Sequence, residues 1–171
     1  MASRYQEIYD GWKRNPDAFW GGAAKAIDWF RPADKVFDGS LGAYGRWFPG
    51  AKVNTCHNAV DRHVASGRGD QAAVIYDSPV TGTKQIFSYE DLLIEVQALA
   101  ASIRDLGVGK GDRVIVYMPM VPQALFAMLA CARLGAIHSV VFGGFAAHEL
   151  STRIDDSTPK LIIAASCGIE P

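Results

Sequence analysis

The chain has 171 residues, of which 49% are hydrophobic, so it is long enough for one domain with a substantial core but short for two. Its 17 basic and 18 acidic residues leave a net charge of −1, which excludes the strongly basic surface of nucleic-acid-binding proteins and predicts no nucleic-acid partner. Its three cysteines are scattered and odd in number, and no apolar run reaches membrane-spanning length, so we expect reduced thiols, no zinc site, no membrane partner and a cytoplasmic location.

The first predicted region, residues 1–57, is rich in aromatic and turn-forming residues. Short helices are expected over Arg4–Lys13 and Asp17–Phe30, whereas the Pro, Gly and Asp residues of RPADKVFDGSLGAYGRWFPG favour an extended segment that bends often. The region holds all four tryptophans, and disordered tails are normally poor in aromatic residues. We therefore predict an aromatic-rich helical and extended segment that wraps onto a larger body.

Residues 58–171 open with a short helix and a β-hairpin. An amphipathic helix is predicted over Asn58–Ser66, and the alternating runs Ala73–Asp77 and Lys84–Ser88 predict two strands joined by a Pro/Gly turn. The turn sequence DSPVTGTK superficially resembles a phosphate loop, but such a loop follows a buried strand and opens a helix. A hairpin turn in solvent is the better interpretation.

From Ser88 onward, helix and strand signals alternate in strict order. Ser88-Tyr-Glu-Asp predicts a capping box, and apolar residues continue at helical spacing until Gly107. Apolar runs that are separated by helices then predict parallel strands covered on both faces. These strands are expected over Arg113–Met118, Ile137–Phe142 and Lys160–Ala165, with helices over 122–134 and Ala146–Asp156 between them. The predicted fold class for 58–171 is therefore an incomplete α/β portion, a partial parallel sheet of βαβ units that follows the aromatic segment and the hairpin.

The stretch HSVVFGGFAAHEL holds the strongest candidate site. A Gly-Gly corner between strand and helix has a mechanical explanation, because glycine tolerates positive φ without steric cost and because a tightly packed strand-helix junction flanked by phenylalanines needs small residues. It also has a chemical one, because ligands of open α/β sheets bind beyond the carboxyl ends of the strands, where glycines allow close approach of the backbone. Phe142 can then lie flat against an adenine, while Gly143 and Gly144 present N–H groups near the start of the next helix. The residues alone leave the two explanations about even.

Other candidates are weaker, and we predict no catalytic residue and no metal ligand in this chain. His138 lies within an apolar strand and is better interpreted as a core histidine than as a catalyst. Cys56 and His57 are adjacent in sequence, so their side chains rarely face each other, and no third group can be assigned to orient them. The sequence contains no Walker loop, no GxGxxG and no helix with metal-ligand spacing.

The predicted sheet lacks a helix that would cover the far side of its last strand. Pro171 follows the predicted strand end, Ala165, by six residues, whereas the strands of a parallel sheet are expected to be covered on both faces. We therefore expect this chain to be the front part of a longer protein, with the rest of that protein's chain as its partner.

The runs GDRVIVYMPMVPQALFAMLACARLGAIHSVVFGGF and RIDDSTPKLII, with the earlier WFRP, resemble the N-terminal part of the AMP-forming short-chain acyl-CoA synthetases. Propionate-activating members are the most similar and acetate-activating members come second. The resemblance implies a ligase in which a short-chain carboxylate attacks ATP, accompanied by Mg²⁺, to give an acyl-adenylate and pyrophosphate, after which the CoA thiol displaces AMP. It also implies that Phe142 is a platform for the CoA adenine and that Gly143 and Gly144 make close backbone contacts with CoA.

Three interpretations of the function remain open at this point. Enzymes of this family carry a phosphate loop rich in Ser, Thr and Gly, an acidic residue for the AMP ribose, and a mobile domain with a catalytic lysine, none of which the sequence contains. A fragment of the ligase, inactive alone, is therefore the first interpretation, with the carboxylate, ATP and CoA as small-molecule partners of the whole enzyme. A stand-alone module that binds CoA or regulates without catalysis is the second, and a scaffold without ligand affinity is the third.

Overall fold

The chain folds as two units that divide between Asn54 and Thr55, in a computed structural model that describes residues 4–144 and 146–168. The first unit contains helices α1 (Tyr5–Arg14) and α2 (Pro16–Ala24) and a short antiparallel pair, β1 (Phe37–Asp38) and β2 (Arg46–Trp47). Its tryptophans pack against aromatic rings of the same unit. The pairs Trp20–Trp47, Phe37–Trp47 and Trp29–Phe48 have ring centroids 5.9, 4.8 and 5.4 Å apart.

Helix α2 ends at Ala24, well before the predicted end at Phe30. The consecutive glycines at positions 21 and 22 lower helix propensity by about 1 kcal/mol each relative to alanine. In addition, Trp29 Nε1 donates a hydrogen bond to the Ala24 carbonyl at 2.8 Å, which satisfies one of the carbonyls that the helix end leaves without an intrahelical partner. The prediction of a helix that continues to Phe30 was wrong, because the two glycines weaken the helix and the local Trp29–Ala24 contact forms at its end.

The second unit begins with wide helical turns and the hairpin. The turns are of π type over His57–Asp61 and Val64–Arg68, where the sequence predicts one amphipathic α-helix. The predicted hairpin is confirmed: β3 (Ala72–Ser78) pairs antiparallel with β4 (Thr83–Ser88). The sequence DSPVTGTK therefore connects two strands and does not open a helix.

Helix α3 (Tyr89–Asp105) begins with the predicted capping box. Ser88 Oγ accepts a hydrogen bond from Asp91 N at 3.1 Å, and Ser88 N donates to Asp91 Oδ2 at 2.9 Å. The hydrogen bonds from the Ser88 hydroxyl and N–H to the carboxylate hold the pKa of Asp91 below its usual value. At the other end, Gly107 adopts a φ of +89°, the left-handed conformation that glycine accepts readily and that commonly ends a helix.

A three-stranded parallel sheet forms the centre of the second unit, with β5 (Arg113–Met118) between β6 (Ile137–Phe142) and β7 (Leu161–Ala164). Helix α4 (Pro122–Leu134) connects β5 to β6, and α5 (Ala147–Ser157) connects β6 to β7. The first connection moves to one side of β5 and the second moves back past it, so right-handed crossovers place α4 and α5 on opposite faces of the sheet. The α/β class and the partial parallel sheet are confirmed.

Burial is unequal across this sheet. The central strand is buried on both faces, since Val114, Ile115 and Val116 have no exposed surface. The outer strands are only partly covered, contrary to the expectation for every strand: Val140 is 50% exposed and Ile162 41% exposed. The main core lies where β5 meets the helical turns, α3 and α4, and its buried side chains include Cys56, Val60, Val96, Ile103, Val114, Phe126 and Cys131.

Helix α3 is an amphipathic, core-packing helix. Its buried residues, Leu92, Val96, Ala100 and Ile103, recur at the spacing of three and four that places side chains on one helical face. In the part of the chain that the structure describes, no helix is long and apolar enough to cross a membrane.

Candidate functional site

The predicted corner lies where two neighbouring parallel strands end. Met118, at the end of β5, pairs in register with Phe142, at the end of β6, and Gly143 N donates to the Met118 carbonyl at 3.3 Å. The chain leaves β5 toward α4 and leaves β6 toward α5, on opposite faces of the sheet. Divergent loops of this kind open a crevice at the carboxyl edge, where α/β proteins bind their ligands.

The two glycines of the corner are closely packed. A Cβ atom on Gly143 would lie 3.0 Å from Pro119 N and 3.1 Å from the Met118 carbonyl carbon, and one on Gly144 would lie 2.6 Å from Phe142 Cε1. Neither glycine has a positive φ, so the part of the mechanical explanation that relies on positive φ was wrong, whereas its tightly packed junction agrees with these short distances. At Gly143 the close neighbour is the backbone at the end of β5, whereas at Gly144 it is the Phe142 ring, a side chain that can rotate.

The Phe142 ring is 54% exposed although it packs over Gly144. It lines a cleft of about 440 Å³ together with Gly143 and Gly144. The structure thus brings the three predicted site residues together on one wall. The other described residues of the lining are Tyr76, Asp77, Ser78, Pro79, Val80, Pro119, Met120 and Gly168.

The tip of the hairpin is the part of this cleft that sequence reasoning missed. Ser78, Pro79 and Val80 end β3 and begin the turn, and they line the same cleft as Phe142. In sequence they lie more than sixty positions before the corner, and nothing in their local pattern indicates which element the hairpin contacts. The only available signal was that a Pro/Gly turn, like many binding loops, lies at the surface.

An apolar trough of about 760 Å³ adjoins the cleft and shares Phe142 and Met120 with it. It runs between β3 and the first half of α4, and Met118, Met128 and Val140 are among its lining residues. Asp77 is the only charged residue among the described residues of either lining, and it forms an ion pair with Lys84 at 2.8 Å. The combined surface is therefore suited to apolar or aromatic groups.

The start of α5 adds a weak electrostatic contribution beside the corner. The helix begins at Ala147, one residue later than predicted, and Ala146 supplies no side-chain cap. Its first N–H groups carry the partial positive charge of a helix N-terminus, which favours negative or electron-rich groups.

Cys56 belongs to a structural cluster and not to a nucleophilic pair with His57. Arg133 Nη1 lies 3.4 Å from Cys56 Sγ, and the guanidinium binds Asp61 through two hydrogen bonds of 2.7 and 2.9 Å. Burial raises the pKa of the Cys56 thiol, so the reactive thiolate is disfavoured. The Arg133–Asp61 hydrogen bonds therefore link the π-type turns to α4.

Thiol labelling provides a direct check of this assignment. Cys56 and Cys131 are fully buried and Cys167 is exposed, and burial raises the pKa of Cys131 to about 11. We expect Ellman's reagent to modify one thiol rapidly in the native chain and all three in denaturant, because thiolates react and buried thiols stay protonated. The variant Cys167→Ser should lose the rapid phase, and rapid labelling of that variant would contradict the buried assignment.

His138 and the possible metal ligands do not form a site. His138 is only partly buried in β6, so the prediction of a core histidine was wrong; within the described part of the chain, β6 is an outer strand of the sheet. Within residues 4–144 and 146–168, no group of three His, Cys, Asp or Glu side chains could hold a metal ion.

Two family models match this chain. The model described as AMP-binding enzyme matches residues 61–170, and the model described as Acetyl-coenzyme A synthetase N-terminus matches residues 5–59. Together they cover both structural units.

Individual relatives agree with these matches. The chain is 50% identical over 169 residues to human acyl-CoA synthetase short-chain family member 3, mitochondrial, a match that covers 99% of this chain and 25% of the relative. It is 46% identical to the propionate–CoA ligase of Salmonella typhimurium, covering 96% of this chain and 26% of the relative. It is 43% identical to the acetyl-coenzyme A synthetase of Mycobacterium bovis, covering 96% and 25%. The chain thus spans about a quarter of the length of these relatives.

Proposed function

This chain belongs to the family of AMP-binding enzymes, and from that premise we propose that it supplies the front part of an acyl-CoA synthetase. In the proposed reaction a carboxylate oxygen attacks the α-phosphorus of ATP, which forms an acyl-adenylate and releases pyrophosphate. The CoA sulfur then attacks the acyl carbon and releases AMP. The observation that carries this proposal is 46–50% identity, over nearly the whole chain, to relatives named as synthetases and ligases of this kind.

The part of this reaction that we assign to the chain is binding of the CoA nucleotide. Phe142 offers a half-exposed aromatic face, and Gly143 and Gly144 leave backbone where a side chain would fill the space. These features fit a flat ring that stacks on Phe142 and lies close to the main chain. When bound, CoA supplies the thiol that accepts the acyl group. We assign none of the described residues to ATP or Mg²⁺.

Propionate is the carboxylate that we propose, with acetate as the second choice. The name of the Salmonella relative supports this choice, since its identity of 46% to this chain slightly exceeds the 43% of the acetyl-coenzyme A synthetase. The cytoplasmic location predicted from the sequence also stays a proposal, since the human relative is named as mitochondrial.

A stand-alone CoA-binding module is the second candidate function. It is favoured by the observation that one chain provides both the Phe142 corner and the hairpin wall of the cleft. In that case CoA would bind without any adenylation by the same polypeptide.

A chimera tests the proposed ligase function. The residues of the Salmonella propionate–CoA ligase that align with this chain are replaced by the chain itself, and propionyl-CoA formation is measured. At 46% identity over 164 residues we expect the chimera to retain activity within about tenfold, because related cores tolerate extensive hydrophobic substitution when volume and pattern are kept. The unaltered ligase is the control, and the isolated chain is expected to show no propionate-dependent exchange of pyrophosphate into ATP.

Two outcomes would count against the ligase proposal. A folded chimera without propionyl-CoA formation would argue that this chain has diverged from the synthetases in function. If the isolated chain binds CoA and the chimera is inactive, the stand-alone module becomes the better explanation.

A further inference from the structure

The hairpin tip forms a wall of the nucleotide cleft that is separate from the sheet. Pro79 and Val80 line the cleft from the hairpin, while Phe142 and Met120 line it from the ends of the parallel strands. Val80, Met120 and Phe142 are 45%, 80% and 54% exposed. Large apolar side chains that converge on one cleft while remaining exposed are a common feature of ligand sites.

Ser78 is the distinctive polar group of this wall. It is the one buried polar or charged residue in the part of the chain that the structure describes, with 8% of its surface exposed. Its Oγ accepts a hydrogen bond from Thr81 N at 3.3 Å. A serine hydroxyl can also donate one hydrogen bond, and no acceptor for the Ser78 proton is found among the described residues.

Ser78 lines the cleft, and its hydroxyl can donate to an acceptor on a bound ligand in addition to accepting from Thr81 N. The phosphates of a nucleotide do not fit this position, since no Lys, Arg or His is present among the described residues of the lining and Asp77 is negative. A purine fits better, because it combines apolar faces with acceptor nitrogens along its edge. Phe142 and Val80 would then contact the ring faces.

We infer that Ser78 is a specificity-determining residue of the CoA site, whose hydroxyl donates a hydrogen bond to a ring nitrogen of the adenine. This inference rests on the proposed function, because it takes CoA as the ligand of the cleft. It adds the hairpin to a site that the sequence places only at the Gly-Gly corner.

The test is a titration of the ¹⁵N-labelled chain with CoA and, separately, with adenosine 3′,5′-bisphosphate, the nucleotide half of CoA. The amide signals of Gly143 and Gly144 report binding even when it is weak. We expect Ser78→Ala to weaken both ligands by about three- to tenfold, the effect of one neutral hydrogen bond. The matched control is Thr83→Val, which removes the Thr81–Thr83 hydroxyl contact of 2.9 Å at the same hairpin tip without altering a residue of the cleft lining.

The outcomes distinguish failure of the inference alone from failure of the proposed function. Equal CoA binding by the wild-type chain and Ser78→Ala would overturn the inference alone, and so would equal weakening by Ser78→Ala and Thr83→Val, which would indicate a general disturbance of the hairpin. If Ser78→Ala weakened the binding of CoA but not the binding of the bisphosphate, the hydroxyl would contact a part of CoA other than the adenine, and the assignment would be overturned. A wild-type chain that responds to neither ligand would overturn the proposed CoA site together with the inference.

Discussion

Substitution of Gly143 by valine is expected to weaken CoA binding by this chain strongly. The Cβ atom alone would lie 3.0 Å from Pro119 N and 3.1 Å from the Met118 carbonyl carbon, and these are backbone atoms that cannot rotate away as a flexible side chain can. Valine adds two further methyl groups, so the corner has to move away from β5. Because Phe142 is the preceding residue, its ring would move with the corner.

We expect the affinity for CoA to fall by at least about tenfold, equivalent to about 1.4 kcal/mol of binding free energy. Isothermal titration with CoA measures this effect, and urea denaturation of the same variant shows whether the fold persists. Gly109→Ala is the matched control, because a Cβ at that position meets its nearest atom, Asp112 Oδ2, only at 3.9 Å, and Gly109 does not line the cleft. A Gly143→Val variant that binds CoA as the wild type does would show that the corner is not the nucleotide site.

The second large effect is expected on stability, from Arg133→Ala. Arg133 and Asp61 are each about three-quarters buried, with side-chain exposures of 25% and 24%, and two charge-assisted hydrogen bonds join them. Removal of the guanidinium would leave the Asp61 carboxylate in a partly desolvated position without its strongest partner. We expect the free energy of unfolding to fall by about 2–3 kcal/mol, below the range for fully buried pairs and above that for exposed ones.

Urea denaturation of three variants would separate this pair from a general effect of losing a charge. Arg104→Ala is the matched control, because its ion pair with Asp105 has side chains 65% and 71% exposed, and we expect it to cost about 0.5 kcal/mol or less. Arg133→Lys should fall between the two, since an ammonium cannot form the bidentate contact. If Arg133→Ala lowered the free energy of unfolding no more than Arg104→Ala does, the Arg133–Asp61 pair would not stabilise the packing of the π-type turns against α4.

The elements of the second unit were largely predictable because their signals are local. The bounds of β5 and β6 agree with the apolar runs Arg113–Met118 and Ile137–Phe142, and Gly107 and Gly135 end α3 and α4 where the sequence indicates. Capping, helical periodicity and glycine termination depend on residues within one or two turns of each other. The α/β class followed from the order of these local elements alone.

The residues of the candidate site are brought together by contacts between segments that are distant in sequence. The Phe142 corner was predictable because the carboxyl ends of parallel strands share one edge. Tight packing at its glycines was one of the explanations that the sequence offered, but the neighbours of Gly143, Met118 and Pro119, are defined only once β5 and β6 pair. The same holds for Ser78, which reaches the cleft through the packing of a hairpin distant in sequence, and for the Arg133–Asp61 pair, whose members are 72 positions apart. Local free energies determine where helices and strands begin and end, whereas contacts between distant segments arise from the packing of the whole unit, which no short window of sequence contains.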